Sequence, residues 1–489
     1  MRWVLIGCCG WLAACAVGPD YQLPDTAAAT TPAYKTSAAD GAWKLAEPGD
    51  LSGAAVWWAG FEDPQLGRLL EAVAVSNQNL AQAEARYRQA VALLGSARAG
   101  FFPKLDANSS YTRRNGGGGD SQFSDQDFRS TRGQYDLGIN LNWELDLWGR
   151  LRRQLEASRA DVQASSAELA GARLSAQSTL AQSYFQLRAL DEQKRLYEQT
   201  LAAFQRSLEL TENQYRAGLV ARSDVVLAQT QLENTRAQAI DLDSRRAQLE
   251  NAIAVLTGKA PAAFDLAPLT FTAAPPSVPL ALPSALLERR PDIAAAEHQV
   301  MAANARIGVA RAAYFPNLTL SGAGGYQSGQ FADWLDAPNR FWSLGPALAL
   351  TLFDGGARSA QQRQAEATYD ESVARYRQTV LDSLREVEDA LARLRVLERE
   401  ITVQRRAVTL AEEAERLVLN QYRAGTISYL DVATAQRQTL DGRRSVLNLV
   451  SEQFTASVQL MAALGGDWTP AQLDNPVISP ERDRDAATQ

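Results

Sequence analysis

The sequence predicts a mainly helical fold with a small membrane β part, built from two tandem copies of one plan of helical hairpins and short strands. Three observations predict it. Motifs return in register along the chain, one stretch of about 66 residues lacks both Gly and Pro, and short segments between the helices alternate apolar and polar residues. Ala97-Arg98-Ala99-Gly100-Phe101-Phe102-Pro103 returns as Ala310-Arg311-Ala312-Ala313-Tyr314-Phe315-Pro316. Asn213-Gln214-Tyr215-Arg216-Ala217-Gly218 returns as Asn420-Gln421-Tyr422-Arg423-Ala424-Gly425, and Asp224 with Asp431 and Gly258 with Gly465 keep that second offset. The chain is therefore read as two repeats, 65–260 and 284–468, joined by a Pro-rich connector at 261–283 and followed by a polar tail at 469–489.

Taken from the N-terminus, Arg2 and the apolar run Trp3 to Ala14 fit a secretory signal, too short to span a bilayer. The run ends in Leu12-Ala13-Ala14-Cys15, which resembles the bacterial lipoprotein processing box. Removal of residues 1–14 would leave Cys15 as an acylated first residue, heading a lipid-anchored segment at 15–64. Ala16, rather than an aspartate, follows the cysteine, which favours sorting to the outer membrane. Cys8 and Cys9 would leave with the signal, so the mature chain keeps no thiol for a disulfide or a zinc site. No later run reaches 18 consecutive apolar residues, the length expected of a membrane helix.

Each repeat then reads helix, strand, loop, strand, very long helix, tight turn, helix. Helices are expected at 65–100, 149–216 and 223–257, then at 284–313, 357–423 and 428–464. Val373, Tyr376, Val380, Leu384, Val387, Leu391, Leu394, Leu397, Ile401 and Val408 follow one another at spacings of three, four and seven, a stripe near the coiled-coil period. A helix of about 66 residues would be about 100 Å long. Two shorter helices laid along each long one would match its length.

Strands are expected at 104–112, 134–147, 317–326 and 342–353. The second is the clearest: Tyr135, Leu137, Ile139, Leu141, Trp143, Leu145 and Leu147 alternate with Asp136, Gly138, Asn140, Asn142, Glu144 and Asp146. In the fourth, Trp342, Leu344, Leu348, Leu350 and Leu352 face one way against Ser343, Gly345, Ala347, Ala349 and Thr351. Period two gives one greasy and one wet face. Each segment is about ten residues, the length a tilted strand needs to cross a bilayer. Four strands cannot close, and open edges are not tolerated in lipid. Copies must therefore combine, giving eight strands from a dimer or twelve from a trimer, and only the wider barrel leaves a lumen.

Composition excludes several classes. The formal charge is −7, which gives no basic footprint for nucleic acid. The single histidine, His298, rules out HExxH sites and argues against a His-dependent triad. Asn115 to Asp120 holds four glycines but no following Gly-Lys-Ser/Thr, so it is no phosphate loop. Carboxylates at three- and four-residue spacing beside arginines read as surface pairing on helices. Neither a catalytic nor a metal site is expected, and the chain is read as a non-enzyme.

The duplicated plan, the Tyr-Arg-Ala-Gly turns, and Arg289-Arg290-Pro291-Asp292-Ile293 followed by Ala296-Glu297 resemble the TolC-like outer-membrane efflux proteins. Cys15-Ala16-Val17-Gly18-Pro19-Asp20-Tyr21 and Trp57-Trp58-Ala59-Gly60-Phe61-Glu62-Asp63-Pro64 resemble the lipoprotein branch of that family, the OprM/NodT type. The resemblance runs from Cys15 to about Gly465. It implies a homotrimer with a 12-stranded β-barrel in the outer membrane and a periplasmic α-barrel. It further implies passive conduction of small molecules, a periplasmic adaptor (membrane fusion) protein and an inner-membrane RND transporter as partners, and no cofactor besides the lipid on Cys15. By the same resemblance, adaptor hairpins dock at tips matching Gly218, Leu219, Gly425 and Thr426. The gate falls on Asp431 and Tyr422, with Asp224 and Tyr215 at the equivalent places of the first repeat. Gly218 and Gly425 also suit plain helix ends, and Asp224 and Asp431 suit helix N-termini. Ile427 stands where TolC has a gate arginine, and Thr434 where it has a second aspartate, so a looser closure than a salt-bridged latch is expected. Two other functions fit the sequence: the outer-membrane duct of a type I secretion system, or a periplasmic structural coiled-coil lipoprotein.

Overall fold

The computed structural model describes residues 16–25, 56–115, 131–269 and 289–474. Cys15, the signal at 1–14, most of the segment up to residue 55, the connector beyond 269 and the tail beyond 474 lie outside the described residues. The fold is mainly helical with one small sheet. Cα packing separates two units, one drawn from Met1–Pro24, Arg88–Ala164 and Ala296–Tyr376, the other from Asp25–Tyr87, Ser165–Ala295 and Arg377–Gln489. Each unit takes segments from both repeats, so the division cuts across the duplication.

Helix α1 (Pro64–Ser76) starts with Pro64 at its first position, and the Asp63 carboxylate accepts from the backbone N–H groups of Gln65 and Leu66 at 2.9 and 3.0 Å. The single helix expected over 65–100 is two. Asn77 turns extended (ψ 125°) and ends α1, and its Oδ1 then caps α2 (Gln78–Ala99) by accepting from Asn79 and Leu80. An asparagine side chain can replace a backbone partner without any Gly or Pro to announce the break.

Helices α3 (Arg150–Arg216), α4 (Arg222–Leu256), α5 (Pro291–Ala312), α6 (Ala357–Arg423) and α7 (Tyr429–Ala463) follow. Both α3 and α6 are 67 residues long, uninterrupted by any proline. Each begins beside an aspartate: Asp146 accepts from the N–H groups of Leu151 and Arg152, and Asp354 from those of Gly356 and Arg358. Residues 284–288, expected in α5, lie outside the described residues.

Strands β1 (Lys104–Asn115), β2 (Thr131–Leu145), β3 (Asn317–Ser328) and β4 (Arg340–Ala349) form one antiparallel sheet in the order β1-β2-β3-β4. Each repeat supplies a hairpin, and the two hairpins join at β2 and β3. The fourth strand ends at Ala349 instead of residue 353. Its partner β3 begins at Asn317, opposite Ala349, so Leu350 to Phe353 have no strand to pair with among the described residues. The first three strands run longer at their outer ends than the alternation alone indicated, except that β2 stops at Leu145, two residues before the expected end.

In the second unit, Trp57, Phe61, Leu66, Leu70, Tyr184, Phe185, Ile253 and Phe454 build a buried core, with Phe185 5.0 Å from Phe61 and 4.7 Å from Phe454 between ring centres. Beside it the Arg188 side chain is 1% exposed and Asp191 3%. Arg188 donates to Asp191 at 2.8 Å, to the Ala267 carbonyl at 2.9 Å and to Gln65 at 2.8 Å, while Arg246 holds the other Asp191 oxygen at 2.8 Å. Arg246 also donates to Glu250 and to the Leu266 carbonyl, and Leu266 N–H returns to Glu250. The chain leaving the first repeat is thereby pinned to α3 and α4 by charge-assisted bonds.

The two repeats share one joint. In the first, Asn77 Nδ2 donates to the Leu256 carbonyl at 2.9 Å, and Gly258, at φ 70°, lies against the backbone of Ser76. In the second, Arg290 Nη1 donates to the Ala463 carbonyl at 2.9 Å, and Gly465, at φ 94°, lies against Arg289. Arg290 adds ion pairs to Asp292 and Glu386 at 2.7 and 2.8 Å. The Arg-Arg-Pro-Asp motif is thus a helix-end clamp, with Arg290 on the last carbonyls of α7 and Asp292 orienting the guanidinium.

Candidate functional site

The sheet is amphipathic across all its strands, and its register shows why. Leu105, Leu141, Gly322 and Leu344 stand in one row, and Ala107, Ile139, Gly324 and Trp342 in the next. The same face carries Tyr111, Tyr135, Leu137, Trp143, Leu318, Leu320 and Leu348. Leu105, Ile139, Trp342, Leu344 and Leu348 on it are exposed. The opposite face holds Asp106, Asn108, Ser110, Asp136, Asn140, Asn142, Thr319, Ser321 and Ser343, with Asn140 donating to Asn108 at 2.8 Å. An exposed greasy face this size has no counterpart in an ordinary water-soluble sheet. Strands β1 and β4 are both unpaired along their outer sides among the described residues.

Aromatic groups mark both ends of the greasy face. At the hairpin end Tyr111 and Tyr135 stack at 4.5 Å, with Phe331 and Trp334 packed on Tyr135 at 5.5 and 5.7 Å. At the helix end Trp148 stacks on Phe315 at 4.9 Å, Trp143 donates to the Phe101 carbonyl and Phe353 is exposed. Paired aromatic girdles of this kind border the apolar band of membrane barrels. The alternation pointed to the band but not to the girdles, whose only sequence signal was aromatic residues clustered at strand ends. The pattern has exceptions: Ser109 and Arg340 stand in the greasy row of Leu137 and Tyr326, and Phe341 lies on the wet face, level with Gly325 and Gly138, with its ring over Gly138.

Next to the helix end of the sheet, in the same unit, lies the segment that follows Cys15. Val17 N–H donates to the Trp148 carbonyl at 3.0 Å, Asn304 to that of Pro19 at 3.0 Å, and Arg153 to Asp20 at 2.9 Å. Gly18, at φ 121°, approaches so closely that a Cβ there would stand 2.5 Å from the Gly308 Cα. Only a glycine pair permits that contact. The Tyr21 hydroxyl reaches Glu297 at 3.3 Å. Burial raises the Glu297 carboxyl above its ordinary range, the bond from Tyr21 opposing the shift in part, and burial and Glu297 together raise the Tyr21 phenol. A raised carboxyl favours the fold below its unfolded value and loses that contribution as pH climbs through the folded one. Thermal melts of the wild type should therefore fall relative to Glu297→Gln as pH rises from about 4 to 7. Parallel profiles would show that this carboxyl carries no such effect.

The two helical turns are alike in backbone and unlike in side chains. Gly218 (φ 76°) and Gly425 (φ 74°) end α3 and α6 in the left-handed region. Leu219 N–H bonds the Gln214 carbonyl, and Thr426 N–H the Gln421 carbonyl, as in a six-to-one helix end. Leu219 is 74% exposed, and Gly218, Gly425 and Thr426 are exposed beside it. Asp224 accepts from Ala221 N–H at 3.3 Å, and Asp431 from Ser428 N–H at 3.2 Å and its hydroxyl at 2.8 Å. Both aspartates thus serve the starts of α4 and α7.

The tyrosines diverge. Tyr215 is exposed, whereas Tyr422 is buried, stacked edge-on with Tyr429 at 5.6 Å and bonded to Thr211 at 3.1 Å. Burial raises both phenols, that of Tyr429 to about 12. A polar ladder continues from Tyr422: Thr211 donates to the Ser207 carbonyl, Gln436 to the Ser207 hydroxyl at 3.1 Å, and Gln231 to Gln436. Tyr422 therefore locks one hairpin against the other within the chain, a role its sequence motif, identical in both repeats, did not distinguish. Ile427 and Thr434 sit here too, Ile427 packed on the tip core and Thr434 bonding back to the Leu430 carbonyl.

Comparison with known proteins agrees with this geometry. The family described as outer membrane efflux protein matches twice, over residues 69–259 and 282–466. The chain is 33% identical over 466 residues to the solvent efflux pump outer membrane protein SrpC of Pseudomonas putida, covering 94% of this chain and 97% of that one. It is 29% identical over 413 residues to the probable outer membrane lipoprotein SilC of Salmonella typhimurium, covering 84% and 88%. A solved structure of the outer-membrane channel OprN is 32% identical, with a TM-score of 0.84 over 92% of this chain and 99% of that one.

Proposed function

Because this chain belongs to the outer membrane efflux protein family, being an outer-membrane protein and not an enzyme, we propose that it forms the passive exit duct of a tripartite pump of the RND type. The observation that carries this reading is the open sheet, greasy on one face, wet on the other and, among the described residues, unpaired at both edges. Lipid would satisfy the greasy face but not the edges, so copies must close them. Three copies would give twelve strands and a wet lumen, whereas eight strands would leave an interior filled by side chains. Among the described residues no helix is long and apolar enough to cross a membrane.

In this duct Cys15 carries the lipid. The segment after it is held beside Trp148, where an acyl chain could enter the bilayer next to the girdle. Gly218, Leu219, Gly425 and Thr426 present the exposed turns to a periplasmic adaptor protein, and the inner-membrane transporter supplies the energy. Asp431, exposed at the start of α7, narrows the throat as a ring of three carboxylates, with Asp224 serving mainly its own helix start. Tyr422 acts on the gate through the ladder that couples the hairpins, and Tyr215 faces the surroundings.

Purified protein should run as a heat-sensitive trimer and open ion-conducting channels in planar bilayers. A soluble monomer that needs no detergent and conducts nothing would overturn the reading. Asp431→Asn should lower the preference for cations over anions in those channels, and Asp224→Asn should leave it nearly unchanged. Cys15→Ser should abolish acylation, seen by mass spectrometry, and weaken membrane association while the helical content stays the same.

A further inference from the structure

Strand side chains ordinarily stand roughly perpendicular to their sheet. Phe341 does not. Among the described residues it is the one large apolar side chain on the wet face, and it starts on the edge strand β4. Its Cζ ends 3.8 Å from where a Cβ on Gly138 would stand, although Gly138 belongs to β2. Two strand spacings, about 10 Å, separate β4 from β2. The ring therefore lies across β3 and over β2, along the wall. Its exposure agrees: Phe341 is 37% exposed, against 79% for Trp342 and 64% for Leu344 on the other face of the same strand.

Two glycines make the bed. At Gly325, directly opposite Phe341, a Cβ would run into the Leu137 carbonyl, so the sheet itself forbids a side chain there. Gly138 is different. Its φ is not positive, and a Cβ on it would stand 3.3 Å from Asn108 Oδ1 and 3.8 Å from both the Gly324 carbonyl oxygen and the ring. Alanine fits there with a small shift of the Asn108 amide. Glycine inside a strand weakens it, so its presence asks for a reason. Only atoms beyond Cβ would meet the ring. The backbone leaves position 138 free, and the ring is what excludes larger side chains.

We propose that the bed of Gly138 and Gly325 keeps Phe341 folded against the wall, and that Phe341 thereby sets the largest cargo able to leave through the barrel. This rests on the reading of the chain as a three-copy duct whose wet face lines the lumen. Twelve strands tilted about 40° give a wall radius of about 12 Å. Three phenyl rings turned upright at one level would take up about half of that radius from three sides. Laid flat, they leave the bore to small polar residues such as Asn108, Asn140, Ser321 and Ser343.

The test uses the full chain in intact cells, with a bulky, membrane-impermeant maleimide added outside. Counted from the hairpin end, Ser321→Cys places a thiol on the wet face beyond Phe341, and Gln327→Cys places one before it; both positions are exposed. Gly138→Val should slow labelling of Ser321→Cys at least about tenfold, and Gly138→Ala should leave it unchanged. Adding Phe341→Ala to Gly138→Val should restore the parental rate, and Gln327→Cys should react alike in every variant. Parental labelling in Gly138→Val overturns the proposal, as does slowing that Phe341→Ala fails to relieve. Labelling of Gln327→Cys but not of Ser321→Cys in the parent overturns it too, since the bore would already be shut at this level. A second measurement does not depend on the valine variant assembling. With p-benzoylphenylalanine in place of Phe341, light should link the side chain to β1 or β2 of its own chain, the heat-denatured protein staying monomeric on gels. Crosslinked dimers in place of that internal link overturn the flat placement. If neither cysteine reacts in the parent, the wet face is no lumen and the reading of function itself falls.

Discussion

Gly465→Ala is expected to be among the most damaging single substitutions in the chain. A Cβ at this position would stand 2.0 Å from the Arg289 carbonyl oxygen and 2.8 Å from its carbon, both backbone atoms that no side-chain rotation can move. The residue also has φ 94°, a conformation that alanine adopts only under strain. Overpacking and backbone strain together should cost on the order of 4 kcal/mol. The joint between α7 and the start of α5 would have to open, taking the Arg290 bond to Ala463 with it. Far-UV circular dichroism melts should show a large drop in the unfolding temperature. The control is Gly218→Ala: its φ is also positive, at 76°, but open space surrounds it, so about 1–2 kcal/mol is expected. Equal losses at the two positions would show that the contact with Arg289 is not what matters.

Asp191→Ala is the second. Asp191 is 3% exposed and accepts from both Arg188, 1% exposed, and Arg246, 15% exposed. Removing the carboxylate leaves the Arg188 charge buried with no anion, held by the Ala267 carbonyl, Gln65 and the face of the Tyr184 ring among the described residues. Stripping one partner from a buried pair costs about 3–5 kcal/mol. Because Arg188 and Arg246 also tie down Leu266 and Ala267, the loss should appear first as faster proteolysis in the chain just after α4. A melt within about 1 kcal/mol of wild type would mean that the arginines find other partners.

These features differ in how far the sequence revealed them. Helices α3 and α6 were legible because no proline interrupts either, and α6 also because its apolar spacing is regular and it lacks glycine. The sheet faces were legible because a period of two leaves no ambiguity about which residues share a side. Asn77 was not, since an asparagine breaks a helix only when its side chain caps the next one and meets a carbonyl such as that of Leu256. The end of β4 was not, because Leu350 and Leu352 continue the alternation and only the length of β3 stops the pairing. Arg188 looked like one more surface arginine. Its partners Gln65 and Ala267 lie 123 and 79 residues away, and no local spacing encodes such meetings. At the tips, the positions of Gly218 and Gly425 were plain, but the opposite fates of Tyr215 and Tyr422 were hidden within identical hexapeptides.

That divergence has a consequence for stoichiometry. Three duplicated chains would display six turns whose main chains are nearly interchangeable, yet only every second turn has its tyrosine tucked away and a serine, Ser428, where the other has Ala221. A visitor gripping only the glycine turns would count six berths; one reading the side chains would count three. Titrating an adaptor against the proposed duct would therefore report which of the two counts holds.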